Sequence, residues 1–221
     1  MRHRHLAHLI FLALLAFGLS ACSKARLYQQ ESYVFGTRVE IQIAGADETQ
    51  ARSATAAVLG EFDRLHRTYH AWRPSELSEL NAAIAVGKPQ AVTAEMAALI
   101  SNAQELASAG DALFDPGIGG LIRLWGFQSD EFKAALPDPA ALAAWRAARP
   151  GIADLRINNG QASSNNRQLA LDFGGYLKGV ALDRAAAILH EQGINNALIN
   201  IGGNVMALGT KNAERWRVGI Q

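Results

Sequence analysis

A single cysteine, Cys22, occurs in the 221 residues, so no intrachain disulfide can form, whatever the redox compartment. No long hydrophobic run is present either. The longest, within "LAHLIFLALLAFG", falls short of the ~20 residues that a comfortable bilayer span needs. An excess of one charge sign is also missing, since 21 Lys and Arg stand against 20 Asp and Glu. Nucleic acid demands a concentrated basic face, so it is excluded as a partner. There is no internal repeat and no low-complexity tract, and neither a Walker loop nor a G-x-G-x-x-G fingerprint appears.

What is present begins with a leader. "MRHRH" is basic, the apolar run follows, and "LSAC" ends it at Cys22. A basic region, a short apolar core and small residues before the cut describe a secretory signal. Residues 1–22 are therefore read as a signal and 23–221 as one domain, of a length that suits a single core. Removing residues 1–21 takes away Arg2 and Arg4 and leaves 19 basic residues against 20 acidic, a net charge of −1. Apolar residues make up 49% of the chain, enough for a real core.

Periodicity divides the domain into strands and helices. "TRVEIQI" alternates, with Val39, Ile41 and Ile43 on one face, and predicts a half-buried strand. In "ETQARSATAAVLGEFDRLHRTYH" the spacing switches to three and four at Ala54, Val58, Phe62, Leu65 and Tyr69, an amphipathic helix. "AWRPSELSELN" reads as a loop into a short helix. "VTAEMAALISNAQELASAG" is another helix, with Thr93 as N-cap and Gly110 as stop. "ALFDPGIGGLIRLWGF" reads as loop plus short helix, and "PDPAALAAWRAARPG" as a helix bracketed by prolines. "LRINNGQASSNNRQLALDFGG" reads as a hairpin turning at "NNG", its second strand ending at the glycines. A helix with Leu182, Ala186 and Leu189 on one side follows, then strands in "NALINIGGNVMALG" and "WRVGIQ". Without regular βαβ alternation, the fold class is α+β, a mixed and largely antiparallel sheet covered by helices.

The chemistry concentrates in "LDFGGYLKG". Two glycines let main chain approach a ligand, the helix start offers free N–H groups, and Lys178 adds a cation that can meet a phosphate. Asp172 can accept hydrogen bonds or help hold a hard cation. By spacing alone, a tight strand-to-helix turn with a solvated lysine accounts for the stretch, and a phosphate-handling corner is the alternative.

Taken with "FGTRVEI", "WRPSELSELN", "FDPGIGGLIRLWGF", "ALINIGGNVMALG" and "WRVGIQ", which occur in this order, the chain from about residue 34 to 221 resembles the ApbE family. These are magnesium-dependent FAD:protein FMN transferases. The resemblance implies Mg2+ as cofactor and FAD as substrate. FMN passes to a Ser or Thr hydroxyl of an acceptor flavoprotein, such as redox-pump subunits of the Nqr or Rnf type, and AMP leaves. "LSAC" likewise resembles the bacterial lipobox, with Cys22 as the lipidated residue. That implies a periplasmic protein held by acyl chains, which contribute ~0.8 kcal/mol per buried CH₂. Ser23 at the next position favours the outer membrane.

Carried over by position, the resemblance assigns flavin-nucleotide contacts to Phe35, Trp72, Leu113, Phe114, Asp115, Asp172 and Lys178. It assigns a magnesium contact to Gly175, through its carbonyl. "WRPSEL" is one residue shorter than the common family pattern. The family's His-containing strand and its main Asp and Thr metal ligands fall beyond Gln221, so an incomplete and inactive chain is expected. The same residues admit plainer readings: Phe35 and Leu113 as core, Trp72 and Trp125 as wedges between helix and sheet, Asp115 before a proline as a turn former. His66 and His70, four apart, read as a solvated helix flank because no third metal ligand is near. Arg38, Arg123 and Arg184 read as surface ion-pair partners. A hydrolase splitting FAD to FMN and AMP, and a flavin-binding lipoprotein without turnover, are the competing functions.

Overall fold

The computed structural model describes residues 26–131 and 135–219. The signal segment, Cys22 and the last two residues lie outside the described residues. In chain order the elements are β1 (Leu27–Val34), β2 (Thr37–Ala44), α1 (Glu48–Thr68), α2 (Glu76–Ala85), β3 (Gln90–Ala91), α3 (Ala94–Ala109), α4 (Gly119–Leu124), α5 (Pro139–Ala148), β4 (Leu155–Asn158), β5 (Gln161–Ser164), α6 (Tyr176–Glu191), β6 (Ala197–Ile201) and β7 (Asn204–Leu208). They build two antiparallel sheets, ordered β1-β2-β6-β7 and β3-β5-β4.

The alternation around Val39 sets the larger sheet. Val39, Ile41 and Ile43 pair with Ile201, Ile199 and Ala197 across β2 and β6, and all six are at most 1% exposed. A one-residue slip would turn this whole set to the outer face, so the register is fixed by burial. Against this inner face lie α1 and α6. Asp47 caps α1, its carboxylate accepting from Gln50 N at 2.9 Å, and Ala54, Val58, Phe62 and Leu65 point inward at 0% exposure. Thr93 and Gly110 cap α3 at the residues expected from sequence. On α6 the buried side carries Leu177, Ala181, Leu182, Ala185 and Leu189. Ala185, rather than Ala186, therefore takes the core position.

Three further expectations differ from the structure. β5 ends at Ser164, well before the glycines. Ser164 Oγ accepts from Asn166 N at 3.0 Å, and Asn166 Nδ2 donates to Asp154 Oδ2 at 2.8 Å and Ala148 O at 3.0 Å, which turns the chain out of the ladder. Trp216–Gly219 form no strand. An extended stretch becomes a strand only when paired, and the Trp216 indole instead folds back to donate to Leu208 O at 2.9 Å. Trp125 is no buried wedge: it caps the C-terminus of α4 and is 40% exposed.

Two backbone features aim residues at one corner of the molecule. The β1–β2 turn holds Phe35 and Gly36 at φ 57° and 68°, the sign pattern of a two-residue hairpin turn. A bulky residue there costs roughly 1–2 kcal/mol. The α4 start is pressed against the segment leading to Asp172: Gly119 N donates to Ala170 O at 2.8 Å. A Cβ on Gly119 would lie 2.8 Å from that oxygen, so only glycine fits.

Candidate functional site

A cavity of about 210 Å³ opens where the β1–β2 turn, the end of α1 and the start of α6 meet. Phe35 and Gly36 come from the turn; His66, Tyr69 and His70 come from α1 and the residues just past it. Trp72 and Arg73 follow in the loop, Asp172, Gly174 and Leu177 enter with α6, and Asp130 closes from across. The strained turn places the Phe35 ring 5.9 Å from Phe62 and 5.7 Å from His66. His66 and His70 lie 5.0 Å apart with their rings tilted by 58°, and His70 meets Trp72 edge-on at 4.3 Å. The result is a nearly continuous aromatic wall, suited to a flat ring system.

The polar side is held just as firmly. Asp172 Oδ1 accepts from Gly174 N and Oδ2 from Gln128 Nε2, each at 2.9 Å. Its own N–H donates to Pro116 O at 2.8 Å. One residue earlier, Asn81 of α2 pairs with both backbone groups of Leu171: its Nδ2 donates to Leu171 O at 2.8 Å, and its Oδ1 accepts from Leu171 N at 2.7 Å. An amide side chain thus substitutes for a neighbouring strand and fixes the segment that presents Asp172. Arg73 spans the mouth to Asp130 at 2.8 Å. Nearby, Arg64 ties α1 to α3 through Glu61 and Glu95, with N–O separations of 2.8 and 2.7 Å. These hydrogen bonds hold the Glu95 carboxyl below its usual pKa and raise that of Arg64.

Both cavity histidines are shifted toward the neutral form. Burial lowers the pKa of His66, aided by Arg73 and opposed by Asp63. Burial lowers that of His70 as well, aided by His66 and Arg73 and opposed by Asp130 and Asp172. The solvated-flank reading of this pair is thereby corrected. His70 sits beyond the end of α1 at 9% exposure and, like His66, faces the cavity. The signal that could have found them was the pair of neighbouring aromatics, Tyr69 and Trp72, which mark the helix end as an apolar corner.

Of the residues assigned from sequence, Phe35, Trp72 and Asp172 are brought together on the cavity wall. The others lie off it. Leu113 is 95% exposed, which removes the core reading of that side chain. Phe114 packs on the core with its ring 6.0 Å from Tyr176. The Asp115 carboxylate accepts from Gly117 N at 2.7 Å and Ile152 N at 2.9 Å, joining two loops. Lys178, half-buried in the first turn of α6, is not on the wall, although Leu177 beside it is. Gly175 is the exposed N-cap of α6. Arg38 and Arg184 do make ion pairs, with Glu31 and Glu40 and with Glu95 respectively.

Magnesium asks for octahedral oxygens, usually including one or two carboxylates. Among the described residues no group of three His, Cys, Asp or Glu side chains could hold a metal ion. Gly175 offers only a carbonyl, and the carbonyl of an N-cap residue already accepts its helix's first internal hydrogen bond. These residues do not fit the ion, and the chemistry below uses protein groups alone.

The chain belongs to the ApbE family, whose model matches residues 35–221. Among known proteins it is 41% identical over 189 residues to the FAD:protein FMN transferase of Rhodobacter capsulatus, covering 86% of this chain and 36% of that protein. It is 28% identical to an FAD:protein FMN transferase of Klebsiella pneumoniae (strain 342), covering 84% and 54%. The chain thus spans about half or less of the length of these relatives. In three dimensions it is similar to the flavin transferase ApbE from Vibrio cholerae, with TM-score 0.77 at 26% identity, covering 89% of this chain and 64% of that one. It is also similar to the ApbE protein from Thermotoga maritima, with TM-score 0.75 at 25% identity, covering 86% and 61%.

Proposed function

We propose that this chain forms the flavin-nucleotide-binding part of an FAD:protein FMN transferase. The observation that carries the reading is the convergence of Phe35, Trp72 and Asp172, from three distant stretches of sequence, on one aromatic-walled cavity. At about 210 Å³ the cavity is smaller than the 300–1,000 Å³ typical of whole small-molecule sites. It takes one ring system of FAD, and the rest of the dinucleotide extends outside. The aromatic side chains orient that ring, Asp172 accepts hydrogen bonds from it or from a ribose hydroxyl, and the N–H groups at the start of α6 favour an anion nearby.

The reaction follows from the substrate's own bonds. A Ser or Thr oxygen of the acceptor bonds to the flavin-side phosphorus, and the pyrophosphate P–O bond to AMP breaks. AMP leaves and the hydroxyl proton is lost, so a phosphoester links FMN to protein. Positioning supplies most of such catalysis. An Nqr- or Rnf-type acceptor and a lipid anchor at Cys22 in the bacterial periplasm complete the proposal; magnesium, whose ligands the described residues do not supply, enters only as a variable of the assay.

The test is incubation with FAD, with and without magnesium and an acceptor bearing a Ser/Thr flavinylation motif. AMP release and covalent flavin that both require the acceptor support transfer. AMP without an acceptor assigns a hydrolase, and stoichiometric FAD binding without AMP assigns a binding protein.

A further inference from the structure

His70 has two ring nitrogens, and the fold uses only one. Nδ1 accepts from Arg73 N at 3.2 Å and, at the outer limit of a hydrogen bond, from Trp72 N at 3.4 Å. Both partners are N–H donors, so a neutral imidazole must keep Nδ1 bare and carry its proton on Nε2. Its main chain is pinned too, since His70 O accepts from Ser75 Oγ at 2.6 Å. The ring is edge-on to Trp72 at 4.3 Å and packed by His66 at 5.0 Å, which leaves it little freedom to flip. It lines the cavity, and among the described residues no protein acceptor meets Nε2. The groups facing it are His66 from α1, Arg73 from its own loop, Asp130 from across the mouth and Asp172 from the approach to α6. Burial and the two basic neighbours hold the ring neutral.

We infer that His70 is a specificity-determining residue of this site, offering the cavity one fixed hydrogen-bond donor, Nε2–H, for an acceptor atom on the edge of a bound heteroaromatic ring. The proposal rests on the flavin-nucleotide reading above and extends it. The same side chain sets the Trp72 loop through Nδ1, so recognition and wall geometry are joined in one residue. A ring edge with a carbonyl oxygen or bare nitrogen is accepted, and one that presents only N–H groups is rejected, because two donors would face each other without water. The isoalloxazine and adenine halves of FAD both carry such acceptors.

Two substitutions separate the two nitrogens. In His70→Asn the amide oxygen reaches the Nδ1 position and can keep the loop, but no donor reaches the Nε2 position. In His70→Gln the amide nitrogen reaches the Nε2 position and the loop acceptor is lost. FAD, riboflavin and AMP are titrated by calorimetry, with the melting temperature of each variant recorded. His70→Asn is expected to melt near the parent and to bind FAD about three- to tenfold more weakly, the worth of one neutral hydrogen bond. The same loss with riboflavin assigns the flavin ring as acceptor; the same loss with AMP assigns adenine. His70→Gln is expected to lose more thermal stability than His70→Asn and less affinity per folded molecule. Unchanged binding of all three probes by a folded His70→Asn overturns the inference. Independently of any ligand, the two-bond ¹H–¹⁵N spectrum of the 221-residue chain should show His70 protonated on Nε2 alone, and a proton on Nδ1 overturns it as well. A parent chain that binds none of the probes defeats the transferase reading, while that spectrum still decides the donor.

Discussion

Asn81→Ala removes the two hydrogen bonds that hold Leu171. Leu171 is 0% exposed, and its N–H and C=O meet the Asn81 amide at 2.7 and 2.8 Å. Truncation leaves one buried donor and one buried acceptor unpaired, at ~1–3 kcal/mol each before relaxation. Asn81 itself is only half-buried, so water reaches part of the gap, and we expect a loss of about 3 kcal/mol. For a domain of this size that lowers the melting temperature by roughly 6–12 °C. The helix should survive, because Leu77, Leu80 and Ile84 of α2 are fully buried and untouched. Urea unfolding followed by far-ultraviolet circular dichroism gives the number, with an unchanged m-value as the sign that only the native state was affected. The effect should also travel one residue: Asp172 loses its anchor, so FAD affinity falls more than the unfolded fraction explains. Asn81→Asp is the control. At neutral pH its carboxylate accepts from Leu171 N but repels Leu171 O, whereas protonation at lower pH restores a donor and part of the stability. A loss below about 0.5 kcal/mol for Asn81→Ala, the size of an ordinary surface change, would refute the account.

Three further outcomes are expected. Trp72→Ala should cost under about 1 kcal/mol of stability because the side chain is 43% exposed, yet weaken FAD binding about three- to tenfold through lost stacking; calorimetry and a thermal melt separate the two. Asp172→Ala should impair FAD binding more than Lys178→Ala, since Asp172 is on the cavity wall and Lys178 is not; equal losses would contradict the placement. Acid should destabilise the protein in two stages. His66 and His70 have folded pKa values below 6.5, so their neutral-form stability is present above 6.5 and is lost as pH falls below it, the unfolded chain binding protons first. Glu95, lowered from 4.5, adds stability present above 4.5 and lost as pH falls through its folded value. Urea midpoints measured from pH 7.5 to about 2.5 check both, and His66→Gln should flatten the first stage.

Comparison of individual elements shows where sequence reading works. α1 was legible from its 3.6-residue spacing and α3 to its caps, because spacing and the Thr93 and Gly110 signals all act within a few residues of chain. β2 was legible because alternation reports directly which face is buried. β5 was read too long, since its ending depends on Asn166 reaching Ala148 and Asp154, far back along the chain. Ala186 was read into the core where Ala185 is, because the apolar stripe of α6 is broad and only packing against α1 fixes its rotation. In the site, the family motifs pointed to Phe35, Trp72 and Asp172. The turn-former reading of Asp115 anticipated its bond from Gly117, but nothing local indicated that the carboxylate would also reach Ile152, or that Leu113 would face water.

The sequence by itself determined the periodic elements, the α+β class and the chemical character of the Asp172 corner, because each depends on residues near one another along the chain. Only the tertiary structure decided that a hairpin turn at residue 35, a helix end at 66–72 and the loop at 172 share one cavity. It also decided that His70 gives one nitrogen to backbone N–H groups while its ring lines the cavity. The shared cavity comes from close packing of segments that are distant along the chain, where a single volume selects which side chains meet, and no local pattern encodes that choice.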